Sequence, residues 1–173
     1  ENLPAKGPYI IAPNHVSYAD APLVMAALPW AIGSQTFFLG HAKYFGGPVE
    51  SRIARVIHVI PVDMEARLTG ALQLSAHVLR SGKILCVFPE GTRSHDGKMK
   101  EFKKGVGIIA KELKVPIIPA AIRGTFEMLS ADRTFPRPAK VGVSFGKPIY
   151  PGNMDYDEIV KKLHAAVSTM LQE

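Results

Sequence analysis

The sequence predicts an α/β domain with a largely parallel sheet, and three observations carry the prediction. Short apolar runs alternate with segments of helical periodicity along the whole chain, the pattern of strands joined by crossover helices. One run, Ile84 to Phe88, is continuously apolar, as a strand covered on both faces is. The chain has 173 residues, 47% apolar and 21% charged, which suits a single globular domain over residues 1–173.

Tyr9 to Ala12 reads as a strand closed by Pro13, Ala21 to Ala27 as a helix, and Thr36 to Gly40 as a second short strand. Val49, Ile53, Val56 and Ile57 fall at helical spacing. His58 to Val62 reads as a strand despite Pro61, whose missing N–H suits a sheet edge or a strand end, with His58 as a core residue. Leu68, Leu72, Ala76 and Leu79 mark one face of a helix that stops at Ser81-Gly82. Beyond the Ile84–Phe88 run, Gly105 to Leu113 is helical, and Val115 to Ile122 is a strand entered through Pro116. Gly124 to Lys140 shows no periodicity and reads as a long surface loop of the kind that often carries function. Val141 to Phe145 alternates as a strand. The last helix sets Ile159, Leu163, Val167 and Leu171 on one face, and Asp155 with Glu158 has capping-box spacing.

Composition excludes several function classes. No apolar run approaches the roughly 18 residues of a membrane span, and the first residues lack the pattern of a secretory signal. Lys plus Arg is 21 against 15 Asp plus Glu, and the net charge of +6 favours anionic partners such as phosphates, acidic lipid surfaces or nucleic acid. Aromatics are only 8% and do not interleave with the basic run, which argues against nucleic acid. GxGxxG and Walker A patterns are absent. The single Cys86 excludes an internal disulfide and a multi-Cys zinc site, suits a reducing cytosolic setting, and reads as structural. His41, His77, His95 and His164 have no metal-ligand spacing.

Two segments can carry chemistry. His15 and Asp20 lie in Pro13-Asn14-His15-Val16-Ser17-Tyr18-Ala19-Asp20, just after a strand and at the mouth of a helix. A neutral imidazole accepts a hydroxyl proton near neutral pH, and a carboxylate on its other nitrogen fixes the tautomer. The competing reading is a helix-capping Asp20 beside a surface His15. The second segment is Phe88-Pro89-Glu90-Gly91-Thr92-Arg93-Ser94, a sharp turn after a buried strand. Glu90 can accept from substrate hydroxyls, Arg93 offers a fork for phosphate, and Thr92 and Ser94 add donors. Glu90 and Arg93 can also simply pair, and turn residues are often just solvated. Lys98, Lys100, Lys103 and Lys104 follow closely; a solvated loop is the default for them, with a supporting part in anion attraction.

Together these blocks resemble the PlsC-like glycerolipid acyltransferase family. Asn14-His15 with Asp20, and FPEGTRS about seventy residues later, are its specific motifs; Ile60-Pro61-Val62-Asp63 and Val115 to Ala120 resemble its more generic second and fourth blocks. Phe102-Lys103-Lys104-Gly105 is similar to the segment that follows the third motif. The resemblance implies a central mixed, largely parallel sheet flanked by helices, with an apolar groove for the acyl chain. It implies acyl transfer from acyl-CoA or acyl carrier protein to the hydroxyl of a lysophosphatidate, with no cofactor and no metal. His15 is then the general base and Asp20 its orienting partner. Glu90, Gly91 and Thr92 shape the acceptor site, and Arg93 holds the acceptor phosphate. Ser17 invites a nucleophile reading, but direct attack by the acceptor is simpler. One departure is Met64 where a basic residue often follows Asp63; Arg67 is the nearest substitute, and a lysophospholipid with a larger head group stays open. A non-catalytic lipid-binding domain of the same fold is the reading from another class. Membrane contact is expected to be peripheral, at an anionic cytoplasmic surface, with Tyr44 and Phe45 available and Phe37 and Phe38 assigned to the core. The missing initiator Met suggests a domain cut from a longer chain.

Overall fold

A computed structural model describes residues 2–42, 47–62, 68–130, 133 and 135–172. In chain order the elements are β1 (Tyr9–Pro13), α1 (Asp20–Ala27), α2 (Trp30–Gly33), β2 (Thr36–His41), α3 (Pro48–Val56), β3 (Val59–Val62) and α4 (Leu68–Arg80). They continue with β4 (Ile84–Cys86), α5 (Gly105–Leu113), β5 (Ile117–Arg123), α6 (Thr125–Leu129), β6 (Gly142–Phe145) and α7 (Tyr156–Gln172). Among the described residues six strands form one sheet, in the order β3-β2-β4-β1-β5-β6. The first five are mutually parallel, and β6 runs antiparallel to β5 at one edge. The sheet is thus mixed and largely parallel, as expected.

Alternation along β1 divides the interior in two. Ile10 and Ala12 join Leu85 and Ile117 under α4, α5 and α7. Tyr9 and Ile11 join Ile84, Cys86 and Ile118 under Val24, Leu28 and Ile32 of the α1–α2 segment. Central strands covered on both faces must be apolar at every position, which is why these runs showed no period of two. Cys86 is fully buried, and burial pushes its thiol well up.

Several expectations are met closely. α5 has the anticipated bounds. Pro61 lies in the edge strand β3, where its missing N–H leaves no gap in the ladder. The capping box forms in both directions: Asp155 N–H donates to Glu158 Oε2 at 2.7 Å, and Glu158 N–H to Asp155 Oδ1 at 2.8 Å. Ile159, Leu163 and Val167 are buried. Phe38 is buried and Phe37 packs against the core.

Other expectations are corrected. β4 ends at Cys86; Val87 N–H still donates to Ile11 O at 2.9 Å, and Phe88 lies beyond the strand. His58 precedes β3 with a left-handed backbone, φ 53°, and donates from Nδ1 to the Thr36 carbonyl at 3.1 Å. The buried side of α4 is Ala71, Ser75, Val78 and Leu79, with Leu72 only partly covered. Ser75 sits on that side because its hydroxyl donates to Ala71 O at 2.7 Å, so no polar group is orphaned. Val56 is exposed at the end of α3. The loop after Gly124 holds the short α6, entered at a left-handed Gly124 whose Cβ position would lie 2.0 Å from Lys140 O. Tyr44, Phe45, Asp63, Met64 and Arg67 lie outside the described residues.

β1 and β5 are held together beyond their last pair by a side chain. Past Pro13, Asn14 donates from Nδ2 to Ile122 O at 3.1 Å and accepts the Ile122 N–H on Oδ1 at 2.8 Å. The carboxamide continues the ladder as the chain turns away. Asn14→Ala is expected to lower unfolding free energy by about 3 kcal/mol, because it strands a buried N–H and C=O. The midpoint of urea unfolding measures this, and an unchanged midpoint would refute the role.

Candidate active site

β1 and β4 are neighbours, with Ile11 opposite Cys86. The helix that follows β1 covers one face of the sheet, and the helix that follows β4 covers the other. Their connecting loops therefore part at the C-terminal edge and leave a crevice, the usual ligand position in such sheets. His15 stands two residues beyond β1, and the turn Phe88 to Ser94 stands just beyond β4. Residues seventy-five positions apart meet there: His15 N–H donates to Glu90 Oε1 at 2.7 Å. Ser94 N–H donates back to His15 O at 2.9 Å.

Asp20 opens α1 and is completely buried. Its Oδ2 accepts three N–H groups: His15 Nδ1 at 2.8 Å, Val16 N at 2.7 Å and Ser17 N at 2.8 Å. A carboxylate can only accept, so Nδ1 carries the hydrogen and Nε2 is the ring's acceptor. The imidazole is also stacked on Phe88, centroids 3.9 Å apart and planes at 21°. Two neighbours thus fix both the tautomer and the plane of the ring, and the helix-start carboxylate is placed where the helix dipole favours negative charge. The merely capping role for Asp20 is set aside: the described hydrogen bonds of its carboxylate go to His15, Val16 and Ser17, all before α1.

Glu90 is buried at 2% exposure. Its two oxygens are taken up by backbone N–H groups, His15 on Oε1 and Lys100 on Oε2 at 2.9 Å. The carboxylate therefore braces the loops, and its described hydrogen bonds go to backbone rather than to Arg93. Burial pushes its pKa up to about 7, against the lowering by the two backbone hydrogen bonds and by Lys100.

The crevice opens into a cavity of about 740 Å³, lined mainly by apolar groups including Leu39, Val59, Leu72, Val87 and Ile109. His15, Gly91 and Arg93 border it, as do Tyr18 and Lys103. The Arg93 guanidinium lies over the Tyr18 ring, 3.4 Å from its centroid, a cation–π seat that holds the fork in place. Thr92 is exposed and is not among the cavity's lining; its hydroxyl meets Lys100 Nζ at 3.3 Å. Ser94 Oγ donates to Asp96, so it too serves the loop. Ser17 is buried, with its hydroxyl donated to Leu129 O and accepting the Ala19 N–H, so it is no free nucleophile. Tyr18, Phe88 and Asn14 are contributors that sequence reasoning missed. An aromatic inside each motif was the available signal for the first two. Among the described residues no three His, Cys, Asp or Glu side chains cluster as a metal site.

The switch point of the α/β sheet thus presents a His–Asp pair, its carboxylate buried, to a largely apolar cavity, an arrangement suited to drawing a proton from a hydroxyl beside an apolar group. Residues 1–123 match the Acyltransferase family, and the chain belongs to it. It is 30% identical over 159 residues to the chloroplastic 1-acyl-sn-glycerol-3-phosphate acyltransferase BAT2 of Brassica napus, over 90% of this chain and 45% of that one. It is 26% identical over 173 residues to the 1-acyl-sn-glycerol-3-phosphate acyltransferase of Bacillus subtilis (strain 168), over 99% of this chain and 82% of that one. The chain therefore spans under half of the plant relative and most of the bacterial one. The crystal structure of the 1-acyl-sn-glycerophosphate acyltransferase PlsC from Thermotoga maritima matches with a TM-score of 0.85 at 28% identity, over 99% of this chain and 68% of that one.

The raised pKa of Glu90 makes the native state hold a proton that the unfolded chain has lost. Stability contributed at this site is therefore present below the unfolded value and falls as pH rises toward about 7. Relative to Glu90→Gln, the wild type is expected to lose stability between about pH 5 and about pH 8. Urea unfolding of both proteins across that range measures the difference, and a pH-independent gap would refute the shift.

Proposed function

We propose that the chain transfers a fatty acyl group from acyl-CoA or acyl carrier protein to the free hydroxyl of lysophosphatidate, in phospholipid biosynthesis. The observation that carries this reading is the His15–Asp20 pair set at the border of the apolar cavity. The names of the relatives support the acceptor.

In this mechanism the acceptor hydroxyl donates its proton to His15 Nε2 as its oxygen attacks the thioester carbonyl. Asp20, held by Nδ1–H, stabilises the imidazolium that forms. The tetrahedral intermediate collapses, a C–O ester bond replaces the C–S bond, and His15 returns the proton to the departing thiolate. No enzyme side chain is acylated. The apolar cavity receives an acyl chain, and Arg93 takes the acceptor phosphate. Glu90 and Gly91 act through the shape of the turn.

The lysolipid comes from a membrane, so peripheral contact at an anionic cytoplasmic surface belongs to the same proposal. The net charge of +6 and the exposed Trp30 and Phe135 support it. Among the described residues no helix is long and apolar enough to cross a membrane.

Thiol release from a long-chain acyl-CoA, with and without lysophosphatidate, tests the activity. Acceptor-dependent release is expected from the wild type, and His15→Ala is expected to lower kcat by about 10²–10⁴-fold. Turnover equal to wild type would remove His15 as the base. Arg93→Ala is expected to raise KM for lysophosphatidate by about tenfold or more, with a smaller change in kcat. An unchanged KM would unseat the phosphate assignment.

A further inference from the structure

We infer that Lys103 is a second phosphate-binding cation of the acceptor site, seated on the bare backbone of Gly91 and acting beside Arg93. The inference rests on the lysophosphatidate reading and deepens it.

The four lysines after the turn are not equivalent. Lys98 is exposed and borders a different cavity. Lys100 Nζ donates to Arg93 O at 2.6 Å and to Thr92 Oγ1, so it holds the turn's backbone. Lys104 Nζ pairs with Asp157 at 2.8 Å. Lys103 lines the same cavity as His15 and Arg93, and its ammonium makes no hydrogen bond or ion pair among the described residues. The described hydrogen bonds of the Glu90 carboxylate go to the backbone N–H groups of His15 and Lys100, not to Lys103.

Its position is also built. Lys103 N–H donates to Pro89 O at 2.8 Å, which ties its backbone to the turn. Gly91 has φ +75°, and a Cβ there would lie 2.7 Å from Lys103 Nζ, 2.9 Å from Cε and 3.1 Å from Cδ. The last three atoms of the lysine therefore run across the glycine. Any side chain at residue 91 would occupy the track that carries the ammonium to the cavity. Gly91 thus serves two needs, a left-handed turn and room for a cation. An ammonium with no hydrogen bond or ion pair among the described residues, bordering a cavity that Arg93 also borders, suits a phosphate monoester better than an acyl chain.

The shared chemistry is phosphate, and the source assigned is the acceptor, not the donor's coenzyme. Steady-state kinetics with lysophosphatidate and a long-chain acyl-CoA separate the two. Lys103→Met keeps the stem and removes the charge; it is expected to raise KM for lysophosphatidate about ten- to hundredfold. Its kcat is expected to stay within about threefold and its KM for acyl-CoA to be unchanged. Lys103→Arg is expected to restore KM to within about threefold of wild type. Lys161→Met, on the exposed side of α7, is the control and is expected to match wild type. Gly91→Ala is expected to raise the same KM, but to add little in a Lys103→Met background, since both changes remove one interaction. An unchanged KM for lysophosphatidate in active Lys103→Met overturns the inference. So does a rise confined to the KM for acyl-CoA. Absence of any acceptor-dependent turnover in the wild type overturns the functional reading and this inference together, and that arm shows it before any variant is compared.

Discussion

Adjacent pairing of β1 with β4 is the constraint on which this protein's chemistry depends. The two strands are parallel and in register from Tyr9 opposite Ile84 to Ile11 opposite Cys86. They enter their loops side by side, but the following helices go to opposite faces of the sheet. Two loops that must separate leave a space between them, and a base on one can face a cation on the other. The crevice is thus a consequence of strand order and not of any single side chain. Asn14 and Glu90 then secure it, the first by tying the end of β1 to β5, the second by tying the β1 loop to the β4 turn.

Two buried carboxylates do different work because their donors differ. Asp20 gathers its donors on one oxygen, and one of them is a side-chain N–H, so it sets the tautomer of the His15 ring, the proposed base. Glu90 receives one backbone N–H on each oxygen, so it sets the path of two loops. Burial outweighs those two bonds and raises its pKa. The pair shows that acidic residues in a motif are not interchangeable evidence for contact with substrate. The test is which atoms their oxygens already hold.

Under the proposed function, the site treats the two ends of a lysolipid differently. An apolar cavity lies beyond the imidazole, and the cations lie around its border, where Arg93 rests on Tyr18 and Lys103 on Gly91. Water is a poor solvent for an acyl chain and a good one for a phosphate, so in the proposed reaction that division alone sorts a lysolipid into one orientation. The hydroxyl between the two ends then comes to His15, the proposed base.

Much of this was legible in the chain itself. Continuous apolarity identified central strands, Pro61 an edge, and the Asp155–Glu158 spacing a cap, because each is a property of residues near one another in sequence. The His15–Asp20 pair was legible for the same reason: five residues across one turn decide whether the two side chains can meet. The α4 face was misjudged because a serine that bonds its own helix counts as polar in a pattern and as satisfied in a core. The direction of the Glu90 carboxylate, the stacking of Phe88 on His15, the exposure of Thr92 and the track of Lys103 over Gly91 had no local signature. They follow from β4 inserting between β2 and β1, a contact across some seventy-five residues whose register is set by packing on both faces of the sheet. Local sequence specifies which groups are available for chemistry; long-range packing specifies which of them face the cavity and which are consumed in holding it open.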